Sequence, residues 1–356
     1  MWIETPVFQE DLESIAQADY IPWEQLRGKT CLITGATGLI GYTLTSALLY
    51  AGWKKELDLT VVALVRDVEK AKQKFAAQLS QGLPLRFVQG DVENLPPMDG
   101  PVDYVIHGAS PTASKYFVEH PVETIHTAVI GTMNLMRLAK DKQSRGFVYL
   151  SSMEVYGSVE EETPLHENDL GYLNPLAVRS CYPESKRLCE ALCAANASEY
   201  DLRAMSVRLA QTFGPGVDVN DNRAFAEFMR CARHGRDIVL QTPGDSKQPY
   251  IYTMDAASAI LTVLLKGEKG QSYNAVNSET YCSIVEMAQL VADHFSKEQP
   301  VAVKIAASEE SMKKYPPKRC WNLSADALTA LEWKHQKNLA QMYQASIESI
   351  LGERER

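Results

Sequence analysis

Short apolar runs alternate with stretches of helical periodicity through the first 210 residues, and this alternation constrains the fold more than any other feature. The runs are rich in β-branched residues and leave no polar face. They are TCLIT (30–34), LTVVALV (59–65), LRFVQGDV (85–92), VDYVIHGAS (102–110) and GFVYLSS (146–152). Strands that are apolar on both faces, with helices between them, build a parallel sheet that helices cover on both sides. The sequence therefore predicts an α/β fold.

Two later apolar runs extend this sheet, and polar stretches rich in glycine and proline interrupt it. The runs are AMSVRLA (204–210) and QSYNAV (271–276), and the interruptions are FGPGVDVNDNR (213–223) and QTPGDSKQPY (241–250). We expect the interruptions to form a smaller C-terminal lobe over the carboxyl edge of the sheet, where open α/β folds bind ligands. The expected division is an N-terminal extension (1–27), a dinucleotide-binding domain (28–210) that also receives the strand near 271–276, and a mainly substrate-binding lobe (211–356).

The charge balance of the chain limits its partners. Its 356 residues include 45 acidic and 36 basic side chains, a formal charge of −9, which argues against a general nucleic-acid binder but permits a small anionic ligand. The chain contains no run of about 18 apolar residues, so no membrane helix is predicted. The start, MWIETPVFQEDLESI, lacks the features of a signal peptide. The seven cysteines have neither framework nor zinc-ligand spacing, so we expect reduced thiols, no metal and a cytoplasmic location.

A glycine-rich loop, GATGLIG (35–41), joins the first predicted strand to the first predicted helix. Glycine permits positive φ angles and close backbone approach, and a helix N-terminus offers free N–H groups to a pyrophosphate. The strand before the loop and the βα units after it favour a dinucleotide site over a purely structural turn. The loop predicts a Rossmann-type, doubly wound sheet. The expected cofactor contacts in it are Gly35, Thr37, Gly38, Leu39, Ile40 and Gly41.

The residues after the second and third strands bear on the identity of the dinucleotide. An acidic residue after the second strand holds the ribose hydroxyls of NAD, whereas an arginine there accommodates the 2′-phosphate of NADP. Arg66 and Asp67 are adjacent and indicate opposite cofactors, so the choice between NAD and NADP stays open. We expect Asp91 and Val92 to flank the adenine ring, with a simple strand-end turn as the alternative.

A second motif, YPESK (182–186), places Tyr182 and Lys186 four residues apart and therefore on one face of a predicted helix. Pro183 suits the first helical position and leaves Tyr182 near the cap. A free tyrosine has a pKa of about 10 and is a poor base at neutral pH. A nearby ammonium, the helix N-terminus and an oxidised nicotinamide would each favour the phenolate. The motif thus predicts a tyrosine base supported by a lysine.

Together these motifs resemble the extended short-chain dehydrogenase/reductases, in particular the NAD-dependent nucleotide-sugar epimerases, dehydratases and decarboxylases. The resemblance covers nearly the whole chain from about residue 28 and is closest in look to the UDP-glucuronate decarboxylases. Its segments are GATGLIG (35–41), HGAS (107–110), VIGTMNLM (129–136), SSMEVYG (151–157), YPESK (182–186), VRLAQTFGPG (207–216), YIYTMDAASAI (250–260) and WNLSADALTALEW (321–333). It implies a nucleotide diphosphate sugar as substrate and a homodimer whose contact includes the Tyr/Lys helix.

The resemblance also implies roles for individual residues. Tyr182 matches the family's base, Ser152 its catalytic Ser/Thr, and Lys186 the lysine that holds the nicotinamide ribose. In that family the tyrosine removes a proton from a sugar hydroxyl while C4 is oxidised to a ketone. Glu154 matches a glutamate that assists chemistry at C5 in dehydratases and decarboxylases. The strand-end segment adds Ala109 and Ser110 as cofactor contacts, and Ser110 and Thr112 as substrate contacts.

The chain departs from the family pattern mainly on the substrate side. Met153 replaces the aspartate of the Asp-Glu pair of dTDP-glucose 4,6-dehydratases, so the acid that expels the C6 hydroxyl is missing at that place. Gln211 stands for a substrate-contacting asparagine, Gln248 for a phosphate-binding arginine and Ala128 for a common asparagine, and both glutamines stay candidate substrate contacts. The cations expected to hold the diphosphate instead are Arg223, Lys247 and Arg319.

Several functions are compatible with these residues. The leading hypothesis is a decarboxylase or 4,6-dehydratase that works through a 4-keto intermediate, because a 4-epimerase would not need Glu154. A nucleotide-sugar 4-epimerase and an NADPH-dependent carbonyl reductase, which Arg66 would suit, are the alternatives. A non-catalytic dinucleotide-binding sensor is disfavoured because Tyr182 and Lys186 are both present. His107 is expected to be a hydrogen-bonded core residue.

Overall fold

The structure, a computed structural model, describes residues 5–159, 162–296, 300–312 and 318–354. Its strands are β1 (Thr30–Thr34), β2 (Thr60–Val65), β3 (Leu85–Gln89), β4 (Tyr104–His107), β5 (Gly146–Ser152), β6 (Ala204–Leu209), β7 (Gln211–Phe213), β8 (Ile238–Leu240), β9 (Lys247–Tyr252), β10 (Ser272–Ala275), β11 (Asn277–Ser283) and β12 (Val303–Ile305). Its helices are α1 (Pro6–Gln17), α2 (Leu39–Lys54), α3 (Val68–Lys74), α4 (Ala76–Ser80), α5 (Ser114–Glu119), α6 (Pro121–Asp141), α7 (Cys181–Tyr200), α8 (Ala224–Arg233), α9 (Thr253–Lys266), α10 (Ile284–Phe295), α11 (Glu309–Met312), α12 (Asp326–Thr329) and α13 (Leu339–Arg354). Short 3-10 turns cover Trp23–Leu26, Met153–Tyr156 and Val178–Ser180.

The largest sheet has seven strands in the order β10-β6-β5-β4-β1-β2-β3, and every neighbouring pair in it is parallel. The chain winds outwards from β1 to β3 on one side and from β4 to β10 on the other, which confirms the predicted doubly wound α/β fold. The direction reverses between β1 and β4, where Thr34 is in register with His107. The carboxyl ends of these two strands therefore border the crevice in which such folds bind ligands.

Helices bury both faces of this sheet. On one face α2 and α9 contribute side chains such as Leu48 and Ile260 to the larger hydrophobic core. On the other face α6 and α7 contribute Leu135 and Cys189 to a second core. All five residues of β1 are buried, which explains why this strand has no polar face.

The pattern of VEKAKQKFAAQL (68–79) predicts one helix, but the structure has two short helices there, α3 and α4, that meet at Phe75. The backbone of Phe75 leaves the helical conformation (φ −98°, ψ 21°). Its ring is fully buried and lies 4.9 Å from the ring of Tyr42 and 6.0 Å from that of Phe87. Burial of this ring therefore decides the local conformation over helix propensity, which is a weak preference by comparison.

Beyond β6 the chain forms two small sheets. β9 lies between β7, which is parallel to it, and β11, which is antiparallel, while β8 pairs with β12. β9 begins inside the stretch 241–250, which the sequence indicated only as an interruption. Its Pro249 has no N–H to donate, and the pairing of β11 shifts in register opposite that residue, between Asn277 and Cys282. The division of the chain at residues 27 and 210 stays a prediction.

Candidate active site

The glycine loop passes from β1 into α2 at the crevice. Gly35 has a φ of +72°, and a Cβ there would lie 2.8 Å from the carbonyl carbon of Gly108. A Cβ on Gly41 would lie 2.1 Å from the carbonyl oxygen of Gly35, so neither position accepts a side chain. Gly38, the exposed N-cap of α2, leaves the first N–H groups of that helix without a side-chain cap from the described chain. This arrangement of free donors and close backbone fits a pyrophosphate.

Arg66 and Asp67 follow β2, and of the two only Asp67 has a side-chain hydrogen bond to a described neighbouring residue. Asp67 caps α3, because its Oδ1 accepts a hydrogen bond from the Lys70 N–H at 2.9 Å. Arg66 is exposed, and its guanidinium has no hydrogen-bond or ion-pair partner among the residues that the structure describes. Asp67 is thus partly committed to local structure, whereas Arg66 is available to a phosphate.

Asp91 and Val92, which follow β3, both contact neighbouring residues. Asp91 accepts a hydrogen bond from the Glu93 N–H at 2.9 Å. The Val92 side chain is buried against Gly131, where a Cβ would lie only 2.7 Å from its Cγ2. Only the backbone of Val92 is therefore left for an adenine ring, and the contact of both residues with adenine stays a prediction.

Ser152, Tyr182 and Lys186 meet at the carboxyl end of β5. Ser152 is the last residue of that strand, and its Oγ accepts a hydrogen bond from the Glu154 N–H at 3.2 Å. A side-chain hydrogen bond joins Ser152 to Tyr182. The Lys186 Nζ donates to the Leu150 carbonyl oxygen at 2.7 Å and lies 5.5 Å from the centroid of the Tyr182 ring. The structure therefore brings the three predicted residues together.

Helix α7 begins two residues earlier than the sequence predicts. The 3-10 turn Val178–Ser180 runs directly into it, so its first residue is Cys181 rather than Pro183. A proline at the third position is still allowed, because the first four N–H groups of a helix have no partner within it. Tyr182 consequently lies in the first helical turn, where the helix dipole favours a negative charge.

Burial opposes charge on both members of the Tyr/Lys pair. It raises the pKa of Tyr182, and the charge of Glu154 raises it further, whereas the hydrogen bond with Ser152 and the charge of Arg179 lower it. Burial also lowers the pKa of Lys186 to about 8. Among the protein's own groups, desolvation outweighs those that would favour the Tyr182 phenolate.

Glu154 is held by an arginine that sequence reasoning missed. Arg179 places Nη2 2.9 Å from the Glu154 Oε1 and Nε 3.2 Å from the Ser114 Oγ. Its guanidinium lies over the Phe117 ring at 4.7 Å, and that ring stacks on Tyr182 with centroids 4.2 Å apart. Arg179 therefore connects the two acid–base candidates. A basic residue three positions before the YPESK tyrosine is the sequence signal that could have identified it.

Two of the three cations expected to hold a diphosphate are paired with carboxylates. The Arg223 Nη2 lies 2.5 Å from the Asp221 Oδ2. The Lys247 Nζ lies 3.0 Å from the Glu162 Oε2. Either cation would have to leave or share its partner to bind a phosphate, so neither is preorganised for that role.

Arg319, the third of these cations, is available. Within the described ranges its guanidinium has no hydrogen bond or ion pair, and it lies over the Trp321 ring at 5.1 Å. Burial lowers its pKa, and the charges of Glu154 and Arg179 also act on it. Arg319 therefore belongs to the same group of charges as the Glu154–Arg179 pair.

The remaining candidate substrate residues lie in the loop after β4 and in the small sheet of β7, β9 and β11. The loop after β4 contains Ala109, Ser110 and Thr112. The first two are partly buried, and Thr112 is exposed. Gln211 on β7 is in register with Tyr250 on β9, two residues after Gln248. Gln211 and Gln248 therefore occupy adjacent positions on one face of the small sheet. The contacts of these residues with cofactor or substrate stay predictions.

His107 is a core residue, as expected. It is buried, and its Nδ1 lies 2.8 Å from the Thr34 Oγ1. Burial lowers its pKa to about 3, so the ring is neutral. Ala128, in place of the family's asparagine, is also buried, and its carbonyl oxygen accepts hydrogen bonds from Thr132 Oγ1 and Cys189 Sγ.

Three further observations concern the cysteines, metal sites and membrane helices. All seven cysteines are free thiols. Across the described ranges, no cluster of three or more histidine, cysteine, aspartate or glutamate side chains could hold a metal ion. The described helices are also too short or too polar to cross a bilayer.

Curated proteins of similar sequence include UDP-glucuronic acid decarboxylases. UDP-glucuronic acid decarboxylase 1 of Xenopus tropicalis is 27% identical over 288 residues, 81% of this chain but only 65% of that protein. UDP-glucuronic acid decarboxylase 6 of Arabidopsis thaliana is 30% identical over 263 residues, 74% of this chain and 73% of that protein. The chain thus spans less than two thirds of the Xenopus relative.

The fold also matches that of a solved enzyme. The crystal structure of a dTDP-glucose 4,6-dehydratase from Streptomyces venezuelae, with NAD and TYD bound, superposes with a TM-score of 0.73 at 21% identity, over 92% of this chain and 98% of that chain. The profile of the NAD dependent epimerase/dehydratase family matches residues 31–277, which contain the glycine loop and the Ser/Tyr/Lys centre. The chain therefore belongs to the NAD-dependent epimerase/dehydratase family.

Proposed function

We propose that the protein oxidises C4 of a nucleotide-linked sugar with NAD or NADP and then acts at C5, as a decarboxylase. The observation that carries this proposal is the Glu154–Arg179 pair, 2.9 Å apart and stacked through Phe117 onto Tyr182. It supplies a carboxyl group and a fixed positive charge beside the base that starts the reaction. The names of the decarboxylase relatives support the same reaction.

Each catalytic residue has a separate task in this mechanism. NAD or NADP, when bound, supplies the acceptor for the electron pair that leaves C4. Tyr182 takes the proton of the C4 hydroxyl, and Ser152 donates a hydrogen bond to the same oxygen. Lys186 holds the nicotinamide ribose. Once C4 is a ketone, it accepts the electron pair released as carbon dioxide leaves C5, and a proton taken up from solvent reaches that carbon through Glu154. C4 then takes its hydride back, and Tyr182 returns the proton to the C4 oxygen, so that no dinucleotide is consumed.

The charges around Glu154 favour a uronate as the substrate. Arg179 and Arg319 are both near Glu154, and guanidinium groups bind carboxylates through paired, charge-assisted hydrogen bonds. Because Glu154 already pairs with Arg179, a neutral hexose would leave the partly desolvated charge of Arg319 uncompensated. The 4,6-dehydratase alternative also needs an acid for the C6 hydroxyl, and the buried Met153 cannot donate a proton.

A second candidate function is an NADPH-dependent carbonyl reductase. The exposed Arg66, which is available to a 2′-phosphate, favours it. It would use Tyr182 and Ser152 as proton and hydrogen-bond donors and would release the oxidised cofactor in each turn. A 4-epimerase would retain the cofactor but leave the Glu154–Arg179 pair without a task, and a non-catalytic sensor would leave the whole centre without one.

Incubation with UDP-, GDP-, CDP- and dTDP-linked hexoses and hexuronates, with products weighed by mass spectrometry, separates these functions. We expect a uronate to lose one carbon dioxide without added cofactor being consumed. Loss of one water would indicate a dehydratase, an isomer of unchanged mass an epimerase, and stoichiometric consumption of NADPH a reductase. Absence of turnover for every sugar would contradict the proposal.

Arg66→Asp tests the cofactor preference. If Arg66 binds the 2′-phosphate, the variant should lose roughly ten- to a hundredfold in affinity for NADP relative to NAD, the value of a charge-assisted hydrogen bond. Calorimetric titration with both dinucleotides measures the ratio. Arg86→Asp, the same charge change at an exposed position on β3, serves as the control. An unchanged ratio in Arg66→Asp would show that Arg66 does not meet the ribose.

The homodimer is also part of the proposal. Exposed apolar side chains lie along the neighbouring helices α6 and α7. They are Val122, Ile125, Ile130, Met133 and Leu188. Light scattering after gel filtration should give twice the mass of one chain, and Met133→Glu should give single chains because it buries a charge in the contact. Trp53→Glu, at an exposed position on α2, should stay dimeric. A monomeric wild type would contradict this contact.

A further inference from the structure

A buried ion pair joins β6 to α7 next to the Ser/Tyr/Lys centre and takes no part in the mechanism above. Arg208 on β6 and Glu190 on α7 are 4% and 9% exposed, with Nη2 2.7 Å from Oε2 and Nε 3.0 Å from Oε1. Such a pair contributes little net stability compared with apolar side chains of the same volume, because both charges lose their hydration. Its geometry therefore points to a role in orientation.

The Glu190 carboxylate joins the two elements that carry the catalytic side chains. Its Oε1 accepts a hydrogen bond from the Ser151 Oγ at 2.5 Å, and Ser151 directly precedes Ser152 in β5. Glu190 also follows Lys186 by four residues and lies on the same face of α7. One carboxylate therefore holds the end of β5 against the helix that bears Lys186 and Tyr182.

Arg208 extends this connection to the turn that contains Glu154. It is in register with Ser151 across β5 and β6. Its Nη1 donates to the Tyr156 hydroxyl at 3.1 Å, and Tyr156 ends the 3-10 turn that begins after Ser152. The strand end, the turn and the helix are thus fixed by the same buried charges.

We propose that Glu190, oriented by Arg208, is a positioning residue that fixes Ser152 relative to Lys186 through the Ser151 hydroxyl. The inference rests on the proposed function, which gives Ser152 and Lys186 their tasks. The inference concerns how the end of β5 is held against α7. This contact can be probed whichever sugar is the substrate.

Two serines that both donate to Glu190 give a matched test. Ser151→Ala removes the hydrogen bond that leads to Ser152. Ser272→Ala removes the hydrogen bond from β10 to the Oε2, 3.5 Å long, and the hydrogen bond with the Ser206 Oγ, 2.6 Å long, and neither leads to a catalytic residue. We expect Ser151→Ala to lower kcat between roughly tenfold and a hundredfold, the cost of a small misplacement of reacting groups, with KM unchanged. Ser272→Ala should keep wild-type kcat.

Hydrogen exchange of the amides of residues 152–157 supplies a readout that needs no turnover. We expect faster exchange there in Ser151→Ala than in Ser272→Ala, with equal melting temperatures. Equal kcat and equal exchange in the two variants would overturn the positioning role, and so would a loss in Ser151→Ala that falls on KM alone. If the wild type turns over no nucleotide sugar, the proposed function fails, and the exchange comparison still decides this inference.

Discussion

Tyr182→Phe should lower turnover by about 10²- to 10⁴-fold, the usual contribution of a positioned general base, while cofactor affinity stays within about twofold of the wild type. The substitution removes only the hydroxyl that takes the C4 proton and that is hydrogen bonded to Ser152. The ring can keep its stacking on Phe117, now 4.2 Å between centroids. The loss should therefore appear in kcat, measured with the nucleotide sugar that the panel identifies, and not in dinucleotide titrations.

Tyr172→Phe is the control for that experiment. Tyr172 is 68% exposed and lies outside the Ser/Tyr/Lys centre, so removal of its hydroxyl should leave kcat unchanged. Full activity of Tyr182→Phe would contradict the mechanism, in which Tyr182 is the base. A parallel loss of cofactor binding would instead assign Tyr182 to the dinucleotide site alone.

Glu154→Gln should separate the two halves of the reaction. Oxidation at C4 should proceed, because Ser152, Tyr182 and Lys186 are untouched, whereas the step at C5 should stall for lack of a proton donor. Glutamine keeps the shape of the side chain and can still accept a hydrogen bond from Arg179, so gross misfolding is not expected. Absorbance of the reduced nicotinamide and mass spectrometry should show a 4-keto sugar that accumulates on the enzyme.

The same substitution should change the pH dependence of the oxidation. The charge of Glu154 raises the pKa of Tyr182, so its removal makes the phenolate easier to form. The acid limb of the rate of C4 oxidation should therefore move to lower pH. Glu162→Gln, which removes a carboxylate paired with Lys247, should leave that limb in place. Normal product formation by Glu154→Gln would instead indicate an epimerase or a reductase.

Local sequence rules were sufficient for the dinucleotide loop and the Tyr/Lys motif. The loop GATGLIG needs glycine where a Cβ would meet backbone atoms, and the spacing of four between Tyr182 and Lys186 follows from the period of the helix. The alternation of apolar strands and helices likewise predicted the parallel sheet. The helix spacing and the contact of Gly41 with Gly35 depend on residues close together in the chain, whereas the close approach of Gly35 to Gly108 is formed only by the fold.

Features that depend on packing between distant segments were predicted poorly or not at all. The break at Phe75 follows from burial of its ring against Tyr42, and the early start of α7 follows from the turn that precedes it. Among the cations expected at the diphosphate, Lys247 pairs with Glu162 across the fold, whereas Arg223 pairs with Asp221, only two residues before it. A list of basic residues cannot show which of them already has a partner.

By itself, the sequence determined the α/β class, the dinucleotide loop and the placement of Tyr182 and Lys186 on one helix face, because each follows from short-range geometry. Ser152 was identified only through the resemblance to the family. Only the tertiary structure decided that Arg179 holds Glu154 and that Glu190 and Arg208 connect β5 to α7. It also decided the direction of the Tyr182 pKa shift. The physical reason is that desolvation and charge–charge interactions depend on distances between atoms, which residue spacing along the chain does not contain.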